Sequence, residues 1–273
     1  MDRRLTPATP RIAHSSLKGR LEVPVYTDGT PMRVALPLID LLRAPNGARE
    51  RQLLLGAGFT VIDRHEGHAF GFAEADGYCG WLPDAALSRG PTPTHWVATP
   101  GTHLYPEPKV QAHDICALSL GARVAITAHH GAWAETTQGF LPAGHILPLG
   151  QHLSDPVTVA ESLLHTPYLW GGNSRAGLDC SGLVQLAYAA AGIALPGDSD
   201  LQQAAGKDIP AEARLHRGDL IFWEGHVAIV VDDHRLIHAN GHTMSVAYEN
   251  TADCIARIAA QGGGPVTHRR RVL

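Results

Sequence analysis

The chain has 273 residues, 44% of them apolar, with a formal net charge of −4 and an isoelectric point near 6.5. That length exceeds one ordinary domain, and the apolar fraction excludes global disorder. The weak negative charge gives no electrostatic attraction to nucleic acid or an anionic membrane, and no stretch approaches the ~20 apolar residues of a membrane span.

The opening residues Met1-Asp2-Arg3-Arg4 are charged, but no apolar run follows, and residues 5–30 are broken by Pro, Lys, Arg, Glu and Asp. This reads as an N-terminal segment (residues 1–28) without a secretory signal, and the expected location is cytoplasmic. The four cysteines, Cys79, Cys116, Cys180 and Cys254, show no C-x-x-C spacing, so neither a zinc knuckle nor a disulfide framework is expected.

Residues 29–90 and 91–150 echo each other. Val34-Ala35-Leu36-Pro37 matches Val97-Ala98-Thr99-Pro100, and Leu55-Gly56-Ala57 matches Leu120-Gly121-Ala122. Gly67-His68-Ala69-Phe70 then matches Gly131-Ala132-Trp133-Ala134, and Gly80-Trp81-Leu82-Pro83 matches Gly139-Phe140-Leu141-Pro142. The offsets, 63, 65, 64 and 59, keep one order along the chain and indicate duplication. Short apolar runs between Gly and Pro turns predict a small β-barrel in each copy, joined through Arg89-Gly90-Pro91-Thr92-Pro93.

From residue 151 to 273 the pattern changes to helix, helix, then strands. The first helix has Ser154 or Asp155 as cap and Pro156 in its first turn, turns Ala160, Leu163 and Leu164 inward, and stops before Pro167. A second helix is marked by Leu183, Leu186, Ala187, Ala190 and Ala191 at helical spacing, with Gly192 just past its end. Asp179 or Cys180 therefore opens it. Asp219–Trp223, His226–Val231 and Arg235–Ala239 read as antiparallel strands. Arg269-Arg270-Arg271 reads as a solvated tail.

Cys180 is the candidate nucleophile. A helix N-terminus favours the thiolate, predicting a depressed thiol pKa, and its amides can hold an oxyanion. Gly182, one turn in, would leave room for a substrate backbone. His226 is a candidate general base and His238 the group that orients it. They share a face only if the intervening loop has an odd length, Asp232 to His234; a two-residue loop would turn them apart. Zinc held by Cys180, His226 and His238 is the alternative, disfavoured because the cysteine lacks a local partner ligand.

Thr166-Pro167-Tyr168-Leu169-Trp170-Gly171-Gly172, Leu178-Asp179-Cys180-Ser181-Gly182-Leu183-Val184 and Leu195-Pro196-Gly197-Asp198-Ser199-Asp200-Leu201-Gln202 follow one another. Gly218-Asp219-Leu220-Ile221-Phe222, Gly225-His226-Val227-Ala228-Ile229 and Leu236-Ile237-His238-Ala239 complete the series. In order and spacing it resembles the NlpC/p60 family of papain-like cysteine peptidases, and Gly77-Tyr78-Cys79-Gly80-Trp81 is similar to bacterial SH3-like domains. The resemblance implies an α+β, papain-like catalytic domain behind two SH3-like β-barrels. It implies an enzyme without cofactor or metal that hydrolyses the γ-D-glutamyl–diamino acid bond of murein peptides, with Cys180, His226 and His238 as triad. Tyr168 is implied beside the nucleophile, Asp179 at the amine of an N-terminal L-alanine, Ser181 and Ser199 at the glutamate α-carboxylate, and Tyr78 closing the alanine pocket. Gly197 stands where relatives often carry Arg, and Ala57 where they often carry Glu. Two readings of the substrate remain. One is a free recycled peptide; the other is intact peptidoglycan, cut by a hydrolase or amidase whose barrels bind the wall.

Overall fold

Alternation of apolar and polar residues between glycine turns produces strands throughout the first half of the chain. A computed structural model describes residues 1–272 and separates the chain into two units, Met1–Leu149 and Gly150–Leu273. In the first unit one seven-stranded sheet runs Arg49–Leu54, Leu38–Leu42, Cys79–Pro83, His68–Ala73, Gly58–His65, Thr30–Val34, Leu87–Ser88. It closes around Val34, Leu41, Phe59, Val61 and Leu82. Residues 95–148 repeat the plan in smaller sheets: Gly101–Leu104 pairs with Cys116–Ser119, Ile126–His130 with Trp133–Thr136 and Gly139–Pro142, and His95–Val97 with Ile146–Pro148.

The hydrogen bonds repeat along with the sequence. Gly56 N–H donates to Val34 O, and Gly121 N–H donates to Val97 O, both at 2.9 Å. Leu55 N–H donates to Pro37 O, and Leu120 N–H to Pro100 O, both at 3.2 Å. Both copies of the Gly-x-Leu-Pro strand run into a 3-10 turn, Asp84–Ala86 in one and Ala143–His145 in the other. Leu54 and Leu55 leave the first barrel to join the core of the second, beside Val97, Leu104 and Leu118. The N-terminal segment is held down as well: Ala13 is fully buried, and Thr9 and Arg11 both donate to Asp63 at 2.8 Å.

The second unit is built on a six-stranded sheet, ordered Lys207–Asp208, His268–Arg271, Leu220–Trp223, His226–Val230, Arg235–Asn240, Ser245–Asn250. Strand alternation sends Ile221, Trp223, Ala228, Val230 and Leu236 to one face. There they pack with Cys254 and Ile258 of helix α4 (Thr251–Ala260). Leu220, Phe222, Val227, Ile229, Ile237 and Ala239 face the other way and are fully buried. Helix α2 (Cys180–Ala190) packs against the strands that carry the last four. Helix α1 (Pro156–Ser162) packs on α2, capped by Asp155, whose carboxylate accepts from Val157 N–H at 2.9 Å. Leu163 is fully buried just beyond α1, whereas Leu164 is half-buried.

The arginine run is not a solvated tail. His268–Arg271 inserts between Lys207–Asp208 and Leu220–Trp223 as a sheet strand. Asp219, 1% exposed, accepts two hydrogen bonds from the Arg271 guanidinium at 2.7 and 2.6 Å. A buried carboxylate needs a cationic partner, and this need draws the segment into the sheet despite its charge.

Gly56 and Gly67 both have left-handed backbone, φ +74° and +71°, in different surroundings. A Cβ at Gly56 would lie 2.3 Å from the carbonyl oxygen of Arg123, whereas one at Gly67 would meet nothing within 4 Å. Gly67→Ala should therefore cost about 1 kcal/mol from backbone strain alone. Gly56→Ala should cost clearly more, because backbone in the second barrel has to move. Urea denaturation of the two variants checks the order.

Candidate active site

The Cys180 end of α2 is fixed by Asp179. One oxygen of its carboxylate accepts from Gly182 N–H at 2.7 Å and from the Ser181 hydroxyl at 3.2 Å. The other accepts from Gly171 N–H at 2.9 Å. The side chain thus caps the helix and ties the loop of Gly171 and Gly172 to it. Gly182 serves that contact rather than the substrate, correcting the sequence-based expectation. A Cβ there would lie 2.3 Å from Gly172 O, so the space is already taken by the protein's own backbone.

The Cys180 side chain points at the turn that starts the next strand pair. Its thiol lies 4.0 Å from Gly225 O, and the amides of Val227, Ser181 and Cys180 itself also point toward the sulfur. Glu224 and Gly225 make a two-residue hairpin, with Trp223 opposite His226. Next along the chain, Ile229 pairs with Ile237 and Val230 with Leu236, leaving the three-residue loop Asp232–His234. The loop is odd, so His226 and His238 are diagonal neighbours on one face. His226 Nε2 and His238 Nδ1 are 2.9 Å apart. His238 is 0% exposed.

Behind His238 stand two residues that the sequence reading did not single out. Glu249 lies two positions past Ala247, the cross-strand partner of His238, and therefore on the same face. Its Oε2 is 3.1 Å from His238 Nε2, close enough for an ion pair but not aligned as a hydrogen bond. Arg257, on α4, holds both carboxylate oxygens of Glu249 at 2.7 Å and reaches Cys254 Sγ at 3.7 Å. His238, Glu249 and Cys254 bring ligand atoms close enough together for a metal, but the guanidinium already occupies the carboxylate and sets a positive charge there. The available signal was alternation: a strand over 245–250 puts Glu249 on the His238 face. Arg257 gave no such signal, because its partner lies on a different element.

The remaining expected residues fall in different places. Tyr168 is half-buried, and its N–H donates to Met244 O at 2.9 Å. Burial, with Cys180 and Asp179 nearby, pushes its phenol up to about 12. Ser181 and Ser199 are both buried, Ser199 at the start of a short helix, Ser199–Gln202, that packs against α2. Gln202 Nε2 donates to Ser181 O and Pro196 O at 3.0 Å and to Gly197 O at 3.1 Å, tying that loop to α2. Tyr78 belongs to the first unit. It is 2% exposed within the first barrel's core, with the Arg51 guanidinium 5.0 Å above its ring. Arg51 is itself paired with buried Asp76 at 2.5 Å. Ala57, where relatives often carry Glu, packs beside the same core.

Residues 165–259 match the NlpC/P60 family, and residues 41–87 match the bacterial dipeptidyl-peptidase SH3 domain. The second unit belongs to the NlpC/P60 family of cysteine peptidases. A gamma-D-glutamyl-L-lysine dipeptidyl-peptidase of Bacillus cereus is 28% identical over 225 residues, which cover 70% of this chain and 67% of that protein. The protein of the same name from Bacillus subtilis is 28% identical over 185 residues, covering 60% of each. The chain thus spans about two thirds or less of these relatives' lengths. The crystal structure of an NlpC/P60 family protein from Bacillus cereus superimposes with a TM-score of 0.76 at 22% identity, covering 89% of this chain and 100% of that one, and shares its fold.

In the NlpC/P60 unit, burial disfavours the charged forms of Cys180, His226 and His238. Burial pushes the Cys180 thiol up to about 12, and the charge of Asp179 adds to this. The helix amides pull the other way and do not prevail, so the expected depressed thiol is corrected. Desolvation of a thiolate that is only 8% exposed outweighs the helix terminus. Burial likewise pushes His226 down to about 3, with His238 adding to it, and His238 down to about 4.

Depressed histidines make stability depend on pH with a definite sign. Unfolded imidazoles bind protons near pH 6.5, whereas these do not until about 4 and about 3. Their contribution is fully present above pH 6.5 and is lost as pH falls through that window. Denaturant unfolding of the full chain at pH 7 and pH 4.5 should show the second unit losing stability at the lower pH. The loss should be smaller in His226→Asn.

Proposed function

We propose that the protein is a cysteine endopeptidase that hydrolyses the γ-D-glutamyl–diamino acid bond of murein peptides carrying a free N-terminal L-alanine, in cytoplasmic cell-wall peptide recycling. The observation that carries the reading is the 2.9 Å contact between His226 Nε2 and His238 Nδ1, in an NlpC/P60 unit whose Cys180 meets the turn leading into His226. The substrate class is supported by the names of the B. cereus and B. subtilis relatives, which specify a γ-D-glutamyl-L-lysine bond and release of a dipeptide.

In this reading Nδ1 of His226 takes the proton of Cys180 as Sγ attacks the γ-carbonyl. The carbonyl oxygen becomes an oxyanion, held by the N–H groups at the start of α2 and by the Tyr168 hydroxyl. His226 then returns its proton to the departing α-amine of the diamino acid, leaving a thioester on Cys180. Water, deprotonated by the same imidazole, hydrolyses the thioester and frees the thiol. Because thiol and imidazole are both neutral at rest, the thiolate forms as the substrate reacts rather than standing ready beforehand. Asp179 pairs with the substrate ammonium, and Ser181 and Ser199 bind the glutamate α-carboxylate.

Cys180→Ala should abolish release of lysine from L-alanyl-γ-D-glutamyl-L-lysine while leaving the melting temperature unchanged. The N-acetylated tripeptide should be cleaved with a kcat/KM lower by about a hundredfold or more, since acetylation removes the charge that a desolvated carboxylate would pair with. Equal kcat/KM on both peptides, or faster release from intact sacculi, would favour a hydrolase of the assembled wall.

A further inference from the structure

Cys180, His226 and His238 leave one question of proton placement open, because a neutral imidazole carries one N–H on either of two nitrogens. If His238 bears its proton on Nδ1, it donates to His226 Nε2. The His226 proton then sits on Nδ1, where it blocks the lone pair needed for the thiol. If His238 bears its proton on Nε2, its Nδ1 accepts from His226 Nε2–H and the His226 Nδ1 lone pair is free. Whatever faces His238 Nε2 decides between the two.

That group is a carboxylate. Glu249 Oε2 lies 3.1 Å from His238 Nε2; the contact is not aligned as a hydrogen bond, but the negative charge beside Nε2 favours a proton on that nitrogen over one on Nδ1. Arg257 clamps both Glu249 oxygens at 2.7 Å from the helix that follows the strand, so the carboxylate stays charged and fixed in place. We infer that Glu249, held by Arg257, is a positioning residue that sets the tautomers of His238 and His226 so that His226 Nδ1 keeps the lone pair the proposed reaction needs. The inference rests on the role proposed for the triad. It extends the relay to five residues: Cys180, His226, His238, Glu249 and Arg257. The same carboxylate stabilises the imidazolium that forms on His226 when the thiol proton moves.

The groups that face His238 are His226, Glu249, Arg257 and His242, with Cys254 on α4 beside the carboxylate. Among them Glu249 alone brings a negative charge. Glu249→Gln removes that charge with little change of shape. It should lower kcat on L-alanyl-γ-D-glutamyl-L-lysine by about ten- to a hundredfold with KM nearly unchanged, less than the ~10⁴ seen where a group bonded directly to the catalytic histidine is neutralised. The acid limb of kcat/KM should move to lower pH, since losing the carboxylate makes the imidazolium harder to form. Nitrogen-15 spectra of the histidine rings in the full chain should show His226 protonated on Nε2 in the wild type and shifted toward Nδ1 in Glu249→Gln. A purely structural glutamate would change the melting temperature without changing the tautomer. Should Glu249→Gln not fold, Arg257→Lys keeps a cation but loses the two-pronged clamp, and should give a smaller fall in kcat with the same direction of tautomer shift. The parallel Cys180→Ala assay separates the two ideas. Activity surviving in Cys180→Ala would overturn the triad itself. A dead Cys180→Ala together with wild-type kcat, acid limb and tautomer in Glu249→Gln would overturn only the role of Glu249.

Discussion

The active-site arrangement depends on a single register, Ile229 opposite Ile237, and that register is set by a turn at the surface. Asp232 accepts from the N–H groups of His234 and Arg235, both at 2.9 Å, and from the Arg235 guanidinium at 2.8 Å, closing a three-residue loop. Side chains alternate with a period of two, so a slip of one residue would turn His238 to the opposite face and break its contact with His226. It would also expose Leu236 and bury Arg235. The hydrophobic pattern of the strand and the chemistry of the site therefore select the same pairing. That agreement is why a strained or flexible element is not needed to bring the histidines together.

Burial has two consequences here that pull against each other. It strengthens every electrostatic interaction around Cys180 and the two histidines, and it penalises every charged form among them. The second effect is large enough to override the helix terminus at Cys180, which at an exposed position would favour the thiolate. A neutral pair can still react if the charge it develops is met by fixed partners. The start of α2 presents its amides to the sulfur side, and the Glu249–Arg257 pair stands behind the histidines. Glu249 holds its own charge because Arg257 stabilises it first, which keeps its carboxyl down at about 2. The charge of Glu249 is thus balanced by a guanidinium on α4 rather than by the histidines alone.

Local patterns made most of this legible in the sequence. The duplicated barrels showed in four matched segments, and the helix-opening Asp179-Cys180 in the apolar stripe that follows it. The relation of His226 to His238 reduced to the parity of one loop, a question the residues posed but did not answer. What escaped was the set of interactions between elements that only packing brings together. Glu249 meets Arg257 across a strand–helix junction, and Arg271 meets Asp219 across 52 residues of chain. In the first barrel, Tyr78 packs into the core beneath Arg51, a partner 27 residues away in the chain. Runs of one residue type misled for a related reason: Arg269, Arg270 and Arg271 look solvated, but one of them answers a buried carboxylate.

Asp179 caps α2, and the amine-binding role proposed for it is hard to separate from that one, as its hydrogen bonds show. An ionised carboxylate offers about four lone-pair sites. Gly182 and Ser181 take two on one oxygen, and Gly171 takes one on the other. One site remains for a substrate ammonium, so capping the helix and reading the amine are compatible. They are not independent, however. Replacing Asp179 by Asn keeps one acceptor oxygen but substitutes a donor for the other, so either the Gly171 or the Gly182 contact is lost. Cys180 is the next residue along, so the loop, the helix start and the nucleophile would shift together. A rise in KM in such a variant would then report a displaced sulfur as readily as a lost ion pair. Changing the substrate's amine while leaving the protein intact separates the roles, because the cap does not depend on which peptide is bound.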